Sequence, residues 1–214
     1  MKLTIDSPIL KANSDSAIET RKLLSEKKIF ALNLLSSPGA GKTTILERTL
    51  IILRDKIKIA VIEGDLQTSR DAERIEKIGI PAIQINTDGG CHLNASMIQC
   101  ALKKLDISEL EVLFIENVGN LVCPAAYDLG EHKKVTVLSI PEGDDKPVKY
   151  PTIFIRSQVV IINKIDLLPF TDFNLKQVKE DLYRLNPNLT IFELSCKTGE
   201  GLNQWTDWLC LQRL

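Results

Sequence analysis

From residue 29 to the end of the chain, short apolar runs alternate with segments whose apolar residues recur at helical spacing. The runs are apolar almost throughout, as at residues 159–162, and strands of this composition are buried on both faces. The pattern predicts an α/β fold with a mostly parallel, twisted sheet of about seven strands and helices on both faces. The predicted strands span residues 29–35, 57–62, 81–85, 111–115, 134–140, 158–162 and 190–194, and the predicted helices span 42–53, 68–78, 92–105, 174–185 and 201–212.

Residues 1–28 differ from the rest because they contain one helical stretch and no apolar run. Ala17, Ile18, Leu23 and Leu24 are spaced for one face of a helix. We expect an N-terminal helical appendage that packs on a single domain over residues 29–214, rather than a targeting sequence. The turn-rich stretch 141–147 is predicted to be a loop inside that domain.

Charge and cysteine content narrow the class of protein. The 214 residues carry 27 basic and 28 acidic side chains, a formal charge of −1, which argues against binding to nucleic acid or a membrane surface. No apolar run approaches the roughly 20 residues of a membrane span, and the N-terminus lacks a secretory signal. The five cysteines are odd in number and scattered, which favours reduced thiols and a cytoplasmic location.

The first motif with chemical content is Ser-Ser-Pro-Gly-Ala-Gly-Lys-Thr at residues 36–43, directly after the first predicted strand. A strand that runs into such a glycine-rich turn places backbone N–H groups at a helix N-terminus, where they bind phosphates. Lys42 is expected to reach the β and γ oxygens and Thr43 to bind Mg²⁺. The general pattern has glycine where this chain has Ser36, a departure that should weaken the fit at most. The predicted phosphate contacts are Gly39, Ala40, Gly41, Lys42, Thr43 and Thr44.

The second motif, Asn-Lys-Ile-Asp at residues 163–166, follows a predicted strand and indicates a guanine reader. Asp166 can accept the ring N–H and the exocyclic amine of guanine, and a site built for such groups strongly rejects a base that lacks them. Residues 195–197 stand where GTPases have a Ser-Ala-Lys loop. The chain is therefore predicted to bind GTP and GDP in a P-loop GTPase domain, with base contacts from Asn163, Lys164, Asp166, Ser195, Cys196 and Lys197.

Two acidic residues after predicted strands are candidates for the Mg²⁺ site. Asp65 follows strand 57–62, and Glu116 follows strand 111–115 at the position where GTPases usually have the aspartate of Asp-x-x-Gly. Ligands of open α/β sheets bind beyond the carboxyl ends of the strands, so both carboxylates are expected near the phosphates, with Gly119 at the γ-phosphate. The predicted catalytic groups are Lys42, Asp65 and Glu116, and the predicted Mg²⁺ ligands are Thr43, Asp65 and Glu116.

Hydrolysis is expected to be slow. Asn120 follows Gly119 where many GTPases have the glutamine that orients the attacking water. Arg70 and Arg74 are candidates for a charge that stabilises the transition state. A partner or dimerisation would otherwise have to complete the site.

Cys91, His92 and Cys123 are candidates for a transition-metal site. Thiolate and imidazole ligands suit Zn²⁺ and Ni²⁺, although a Cys-His pair alone is weak evidence. Three ligands leave a four-coordinate site incomplete, and a two-fold dimer would bring a second set to the same place. Because Cys123 follows the predicted γ-phosphate segment that begins at Glu116, metal and nucleotide binding are expected to be coupled.

Taken together, the segments 37–44, 63–65, 90–93, 114–124, 128–131 and 163–166 resemble the hydrogenase nickel-incorporation GTPases of the HypB family. The resemblance covers nearly everything from residue 29 onward. It implies a GTP-regulated homodimer that delivers Ni²⁺ to the large subunit of [NiFe] hydrogenase, in cooperation with the zinc-containing nickel metallochaperone HypA. It also implies that Cys91, His92 and Cys123 are the metal ligands of the GTPase domain. The N-terminal Cys-x-x-Cys-Gly-Cys site and the His-rich tract of some members are not found here.

Three alternatives stay open at this point. The metal could be structural zinc that serves assembly, in which case its affinity would ignore the nucleotide. A small-molecule kinase could share the phosphate-binding scaffold, but the intact guanine motif argues against it. The recipient enzyme could instead be urease or a cobalamin enzyme.

Overall fold

The computed structural model of the chain describes residues 8–65 and 70–212, and within them seven strands form one sheet. The strands are β1 (Phe30–Ser36), β2 (Ile59–Asp65), β3 (Ala82–Asn86), β4 (Val112–Glu116), β5 (Lys133–Ser139), β6 (Val159–Asn163) and β7 (Thr190–Leu194). Their order is β3-β2-β4-β1-β5-β6-β7, and every neighbouring pair is parallel. The predicted α/β class is confirmed, and the sheet is parallel throughout rather than mostly so.

The helices are α1 (Pro8–Glu26), α2 (Lys42–Leu53), α3 (Arg70–Glu76), α4 (Ala95–Leu102), α5 (Cys123–Ala126), α6 (Lys146–Lys149), α7 (Pro151–Arg156), α8 (Leu175–Leu185) and α9 (Leu202–Leu211). The predicted bounds of α2 agree with the structure. Residues 68 and 69 of the predicted helix 68–78 lie outside the described residues. None of the helices in the described part of the chain is long and apolar enough to cross a membrane.

Three differences from the predicted elements have local causes. Helix α4 begins at Ala95 rather than at residue 92 because Asn94 caps it, with its side chain accepting from the Met97 N–H at 3.0 Å. The predicted loop 141–147 is wrong in part, since Ile140–Glu142 forms a 3₁₀ turn and α6 begins at Lys146. Helices α5, α6 and α7 were not predicted, because each has a proline in its first turn, where proline is tolerated although it reads as a breaker.

Helices cover both faces of the sheet, as predicted. On one face, alternate β1 residues such as Leu32 pack with Leu46 of α2 and Trp205 of α9. On the other face, Ala31 packs in a cluster with Leu24 of α1. A third cluster joins the ends of β1, β5 and β6 to α7 and α8. This arrangement leaves the carboxyl ends of the central strands open to ligands.

Helix α1 packs against α4 by a single stripe. Ala17 and Leu24 are fully buried, and the Gln99 side chain of α4 donates to the Ser16 carbonyl at 3.1 Å. The expectation that Ile18 shares the buried face is wrong, since its side chain is 61% exposed. Adjacent helical residues are rotated by about 100°, and at this position the rotation turns Ile18 towards solvent while Ala17 stays buried. The division between an appendage and a domain at residue 29 stays a prediction.

Candidate functional site

The glycine-rich turn between β1 and α2 forms one wall of a cavity of about 460 Å³ at the carboxyl ends of the strands. Gly39 and Gly41 have φ of 79° and 98°, in the left-handed region that favours glycine. A Cβ on Gly41 would lie 2.6 Å from Nδ2 of Asn163. Glycine at this position therefore serves both the backbone turn and the close approach of the Asn163 side chain.

Most of the predicted phosphate and Mg²⁺ residues line this cavity. They are Gly39, Gly41, Lys42, Thr43, Thr44, Asp65, Glu116 and Gly119, together with Lys164 of the guanine motif. Ala40 instead is fully buried, and its carbonyl accepts a hydrogen bond of 2.9 Å from Asn163 Nδ2. A Cβ on Gly119 would lie 3.1 Å from the Pro38 Cα, so the segment after β4 packs directly on the phosphate-binding turn.

Lys42 and Thr43 are both held by polar partners at the start of α2. The Lys42 ammonium donates to Ser36 Oγ at 2.9 Å, and the Thr43 hydroxyl donates to Glu116 Oε1 at 2.8 Å. Ser36, the departure from the general motif, thus lies directly under the lysine. Hydroxyl and carboxylate oxygens are the ligands that Mg²⁺ prefers, so Thr43, Asp65 and Glu116 fit this ion.

One acidic residue of the cavity was missed by the sequence reasoning. Glu63 lines the cavity, is 2% exposed and pairs in register with Glu116 across β2 and β4. The predicted strand ended at residue 62, whereas β2 runs to Asp65. Because alternate strand residues share a face, Glu63 and Asp65 belong on the same side of the sheet. The alternation along Glu63-Gly64-Asp65 was the available signal.

Arg74 of α3 also lines the phosphate cavity. Its guanidinium makes a two-pronged ion pair with Glu47 of α2, at 2.9 Å from Nε to Oε1 and 2.6 Å from Nη2 to Oε2. The other candidate, Arg70, has a side chain outside the described residues. In this state Arg74 is directed to α2.

A second cavity, of about 360 Å³, adjoins the first and shares residues with it. Its walls include Gly41, Thr44, Asn163, Lys164, Asp166, Cys196 and Lys197. Ser195 is fully buried and donates to Asp166 Oδ1 at 2.5 Å, so it contacts the carboxylate rather than lining the cavity. The Lys164 ammonium donates to the Gly39 carbonyl at 2.7 Å. Burial raises the pKa of the Cys196 thiol to about 11, so the thiol lines the cavity as an uncharged group.

Cys91, His92 and Cys123 come together although 31 positions separate the loop from the start of α5. Their ligand atoms lie within 4.8 Å of one another, and all three residues are half-buried. The hydrogen bond from Cys123 and burial raise the pKa of the Cys91 thiol, whereas burial lowers the pKa of His92. The His92 ring stacks on Tyr127 with centroids 3.8 Å apart. The cluster offers the three soft ligands of a transition-metal site.

Comparison with known proteins identifies the family of the chain. Residues 30–193 match the CobW/HypB/UreG nucleotide-binding domain family. The hydrogenase maturation factor HypB of Escherichia coli (strain K12) is 48% identical over 211 residues, which is 99% of this chain and 73% of that protein. The chain belongs to the HypB family. The resemblance inferred from the motifs is thereby confirmed.

Two further HypB proteins extend the comparison. The hydrogenase/urease maturation factor HypB of Helicobacter hepaticus is 46% identical over 97% of this chain and 86% of that protein. A crystal structure of HypB from Helicobacter pylori in complex with nickel superposes with a TM-score of 0.90 at 44% identity, covering 94% of each chain.

The two candidate sites of this HypB-family chain are linked by one short segment. Residues 116–119 line the phosphate cavity, and Cys123 follows four positions later at the start of α5. The Asn120 side chain contacts the cluster from this segment, with Nδ2 3.5 Å from the Cys91 carbonyl and Oδ1 accepting from the Val122 N–H at 2.8 Å. The individual roles of the site residues stay predictions.

Proposed function

We propose that this HypB-family chain is a GTP-hydrolysing switch that holds Ni²⁺ at Cys91, His92 and Cys123 and assists its insertion into [NiFe] hydrogenase. The observation that carries the proposal is the position of the Cys/His cluster. Its ligand atoms lie within 4.8 Å of one another, and one of its ligands follows the wall of the phosphate cavity by four residues. A metal bound to this cluster would be held by a segment whose preceding residues line the phosphate cavity.

The nucleotide would occupy the two adjoining cavities. Its phosphates would meet the N-terminus of α2 and Lys42, and its base would meet Asp166, which Ser195 orients. Mg²⁺ held by Thr43, Asp65 and Glu116 would neutralise charge on the phosphate oxygens. Lys42 would contact the same oxygens, and the buried Glu116 carboxylate fixes the hydroxyl of Thr43 by accepting its hydrogen bond.

Slow turnover follows from the groups near the γ-phosphate position. Asn120 is directed to Cys91 and Val122 rather than to the cavity. The Arg74 guanidinium is paired with Glu47 on α2 and would have to change partner to reach a phosphate. A switch that hydrolyses slowly acts as a timer for metal release rather than as a metabolic enzyme.

A homodimer would complete the metal site. Three ligands from one chain leave a four-coordinate Ni²⁺ or Zn²⁺ site incomplete, and a second copy related by two-fold symmetry can share ligands across the interface. Val122, beside Cys123, is 61% exposed, and an apolar side chain at this surface suits such an interface. The nickel is cargo in this scheme, and zinc would compete for the same thiolates.

HypA and the large hydrogenase subunit are the proposed partners, in the cytoplasm, where free thiols persist. All five cysteines are free in the structure, as a thiolate metal site requires. The name of the Helicobacter hepaticus relative includes urease, so a urease is the second candidate recipient.

Metal titration in defined nucleotide states tests the proposal. Ni²⁺ affinity is measured against a competing chelator for the full chain, Cys91→Ala and Cys100→Ala, each with GDP and with a non-hydrolysable GTP analogue. Cys100 is an exposed thiol of α4 outside the cluster and serves as the matched control. We expect Cys91→Ala alone to lose Ni²⁺ affinity, and GTP hydrolysis to be measurable and slow.

Two outcomes would contradict the proposal. Equal loss of affinity in both cysteine variants would place the metal elsewhere. Identical metal affinity and oligomeric state with GDP and the analogue would leave a GTPase with a structural metal.

A further inference from the structure

The backbone N–H of Leu93, one residue after His92, donates to Oδ1 of Asn117 at 3.1 Å. Asn117 is 1% exposed and lies in the wall of the phosphate cavity. The same oxygen accepts from the Val118 N–H at 3.0 Å. A single buried side chain therefore joins the loop of two metal ligands to the segment expected at the γ-phosphate.

Asn117 is fixed on its other side by the sheet. Its backbone N–H donates to the Leu34 carbonyl of β1 at 3.0 Å, and its Nδ2 donates to Asn33 Oδ1 at 3.2 Å. Asn33 in turn donates to Glu131 Oε1 at 3.2 Å, and Glu131 Oε2 accepts from the Leu129 N–H at 2.7 Å. The network thus runs from Leu93, the residue after His92, through Asn33 of β1 to the segment that follows Tyr127.

The loop that carries Cys91 and His92 and the segment that follows α5 are therefore tied to one buried network. Tyr127, which stacks on His92, precedes Leu129 by two residues. Buried polar networks whose members are all paired rigidify the groups they connect. A displacement at Asn117 would therefore be passed to the loop that follows His92.

The Leu93 side chain anchors the loop in the protein core. It is fully buried, and a Cβ on Gly64 would lie 2.7 Å from its Cδ1. Gly64 and its neighbour Asp65 also line the phosphate cavity. The loop that begins at Cys91 is thus packed against β2 and hydrogen-bonded to the segment after β4, the two strand ends predicted to meet Mg²⁺ and the γ-phosphate.

We infer that Asn117 is the positioning residue that couples nucleotide state to metal affinity. The inference rests on the proposed function and adds the regulation of its metal site. When the segment 116–119 shifts between the two nucleotide states, Asn117 Oδ1 moves the Leu93 N–H and with it the Cys91 and His92 ligands. Asn117 contacts neither the metal ligands nor the base reader, so it acts through the loop. A coupling route requires measured coupling and not only contiguity.

The test compares the ratio of Ni²⁺ dissociation constants with GDP and with a non-hydrolysable GTP analogue. The wild-type ratio is expected to lie in the usual range for coupled sites, about 5- to 150-fold. Asn117→Ala removes the acceptor for Leu93 and should bring the ratio towards one, while one set of metal ligands per chain is retained.

The matched control is Asn94→Ala. Asn94 is the next residue after Leu93 and caps α4, but its side chain contacts Ser96 and Met97 rather than the phosphate wall. Asn94→Ala should change the Ni²⁺ dissociation constant by the same factor with GDP and with the GTP analogue, so the ratio of the two constants should stay as in wild type. If Asn117→Ala does not fold, Asn117→Ser is measured in its place, because its hydroxyl can serve Val118 but is too short to reach Leu93.

The ratio separates failure of the inference from failure of the proposed function. A wild-type ratio above one that survives in Asn117→Ala or Asn117→Ser would overturn the role of Asn117 alone. A wild-type ratio of one would remove the coupling itself and overturn both. A merely structural role for Asn117 would weaken Ni²⁺ binding by the same factor with either nucleotide and leave the ratio unchanged.

Discussion

The Lys42 ammonium is 2.9 Å from Ser36 Oγ, and the Ser36 hydroxyl in turn donates to the Ser37 carbonyl at 2.5 Å. The lysine expected to bind phosphate oxygens is therefore held by a side chain that stands where the general motif has glycine. A nucleotide would have to share the lysine with this hydroxyl or take it away. Ser36, which replaces the glycine of the general motif, therefore fixes the position of the Lys42 ammonium.

Ser36→Gly is accordingly expected to tighten GDP binding. In this variant Lys42 has no Ser36 hydroxyl to donate to before the nucleotide binds. Because hydrogen bonds of charged groups are strong, GDP then gains the lysine without breaking such a bond. We expect the GDP dissociation constant to fall by up to about tenfold, the equivalent of ~1.4 kcal/mol. Isothermal titration measures it, with Ser37→Ala as control because only the Ser37 carbonyl contacts Ser36. Weaker binding in Ser36→Gly would show that the hydroxyl assists the nucleotide.

Asp166→Asn should shift base preference from guanine towards xanthine. The carboxylate accepts where the amide donates, and xanthine carries a carbonyl in place of the guanine amine. Asn retains an oxygen that can accept from Ser195, whose hydroxyl lies 2.5 Å from Asp166 Oδ1, so the local structure should persist. Competition between GDP and XDP provides the measurement, with the exposed Asp172→Asn as control. Undiminished guanine preference would remove Asp166 from the base site.

The elements of this fold were largely predictable because their signals are local. The fully buried pattern of β1 and the glycine positions at 39 and 41 follow from residues adjacent in sequence. The metal cluster was predictable only as candidate ligands, since its geometry depends on the packing of Cys91 against a helix 32 positions later. The coupling position of Asn117 could not be predicted, because a single asparagine after a strand carries no sign of its distant partner Leu93. Glu63 was missed by a strand boundary three residues short.

Thr49→Val is expected to destabilise the fold without affecting the ligand sites. The indole N–H of Trp205 donates to Thr49 Oγ1 at 2.9 Å, and both residues are fully buried. Valine keeps the volume but leaves the indole donor unpaired, at a cost of about 1–3 kcal/mol. Urea unfolding measures this cost. Thr206→Val is the control, because its hydroxyl donates only to the Asn203 carbonyl in the same helix, and an equal loss there would contradict the assignment.

The ion pair between Arg21 and Asp128 should contribute stability that depends on pH. Burial raises the pKa of Asp128. The hydrogen bonds from Arg21 and from the Gly130 N–H together lower it by more than burial raises it, so the pKa of Asp128 is below its usual value. A carboxyl group with a depressed folded-state pKa contributes stability above its unfolded pKa of about 3.9, which is lost as the pH falls through the folded value.

Arg21→Ala should therefore be less stable than wild type at neutral pH, and the difference should shrink below about pH 4. The two side chains are 39% and 45% exposed, so the expected difference is under about 1 kcal/mol. Denaturant unfolding between pH 3 and 7 measures it. Lys22→Ala, whose pair with Glu26 is long and exposed, should show little difference at any pH. A stability difference that widens on acidification would mean that Arg21 does not lower the pKa of Asp128.

Asn13 of α1 bridges the start of α4 and the segment that follows α5, which lie close in sequence to the candidate metal ligands. Its Oδ1 accepts from the Ala95 N–H at 2.9 Å, three residues after His92, and its Nδ2 donates to the Asp128 carbonyl at 2.8 Å, next to the Tyr127 that stacks on His92. The bond to the Ala95 N–H is buried, so Asn13→Ala leaves this donor unpaired, and we expect a loss of about 1–3 kcal/mol.

The same substitution should lower Ni²⁺ affinity by a similar factor with GDP and with the GTP analogue, because Asn13 orients the ligands without contacting the phosphate wall. This distinguishes it from Asn117, whose replacement should change the ratio between nucleotide states. Ser14→Ala is the control, since Ser14 is exposed and donates only to the Leu10 carbonyl within α1. Chelator competition gives both affinities in one experiment. If Asn13→Ala lost stability but bound Ni²⁺ as wild type does, α1 would support the fold without orienting the metal site.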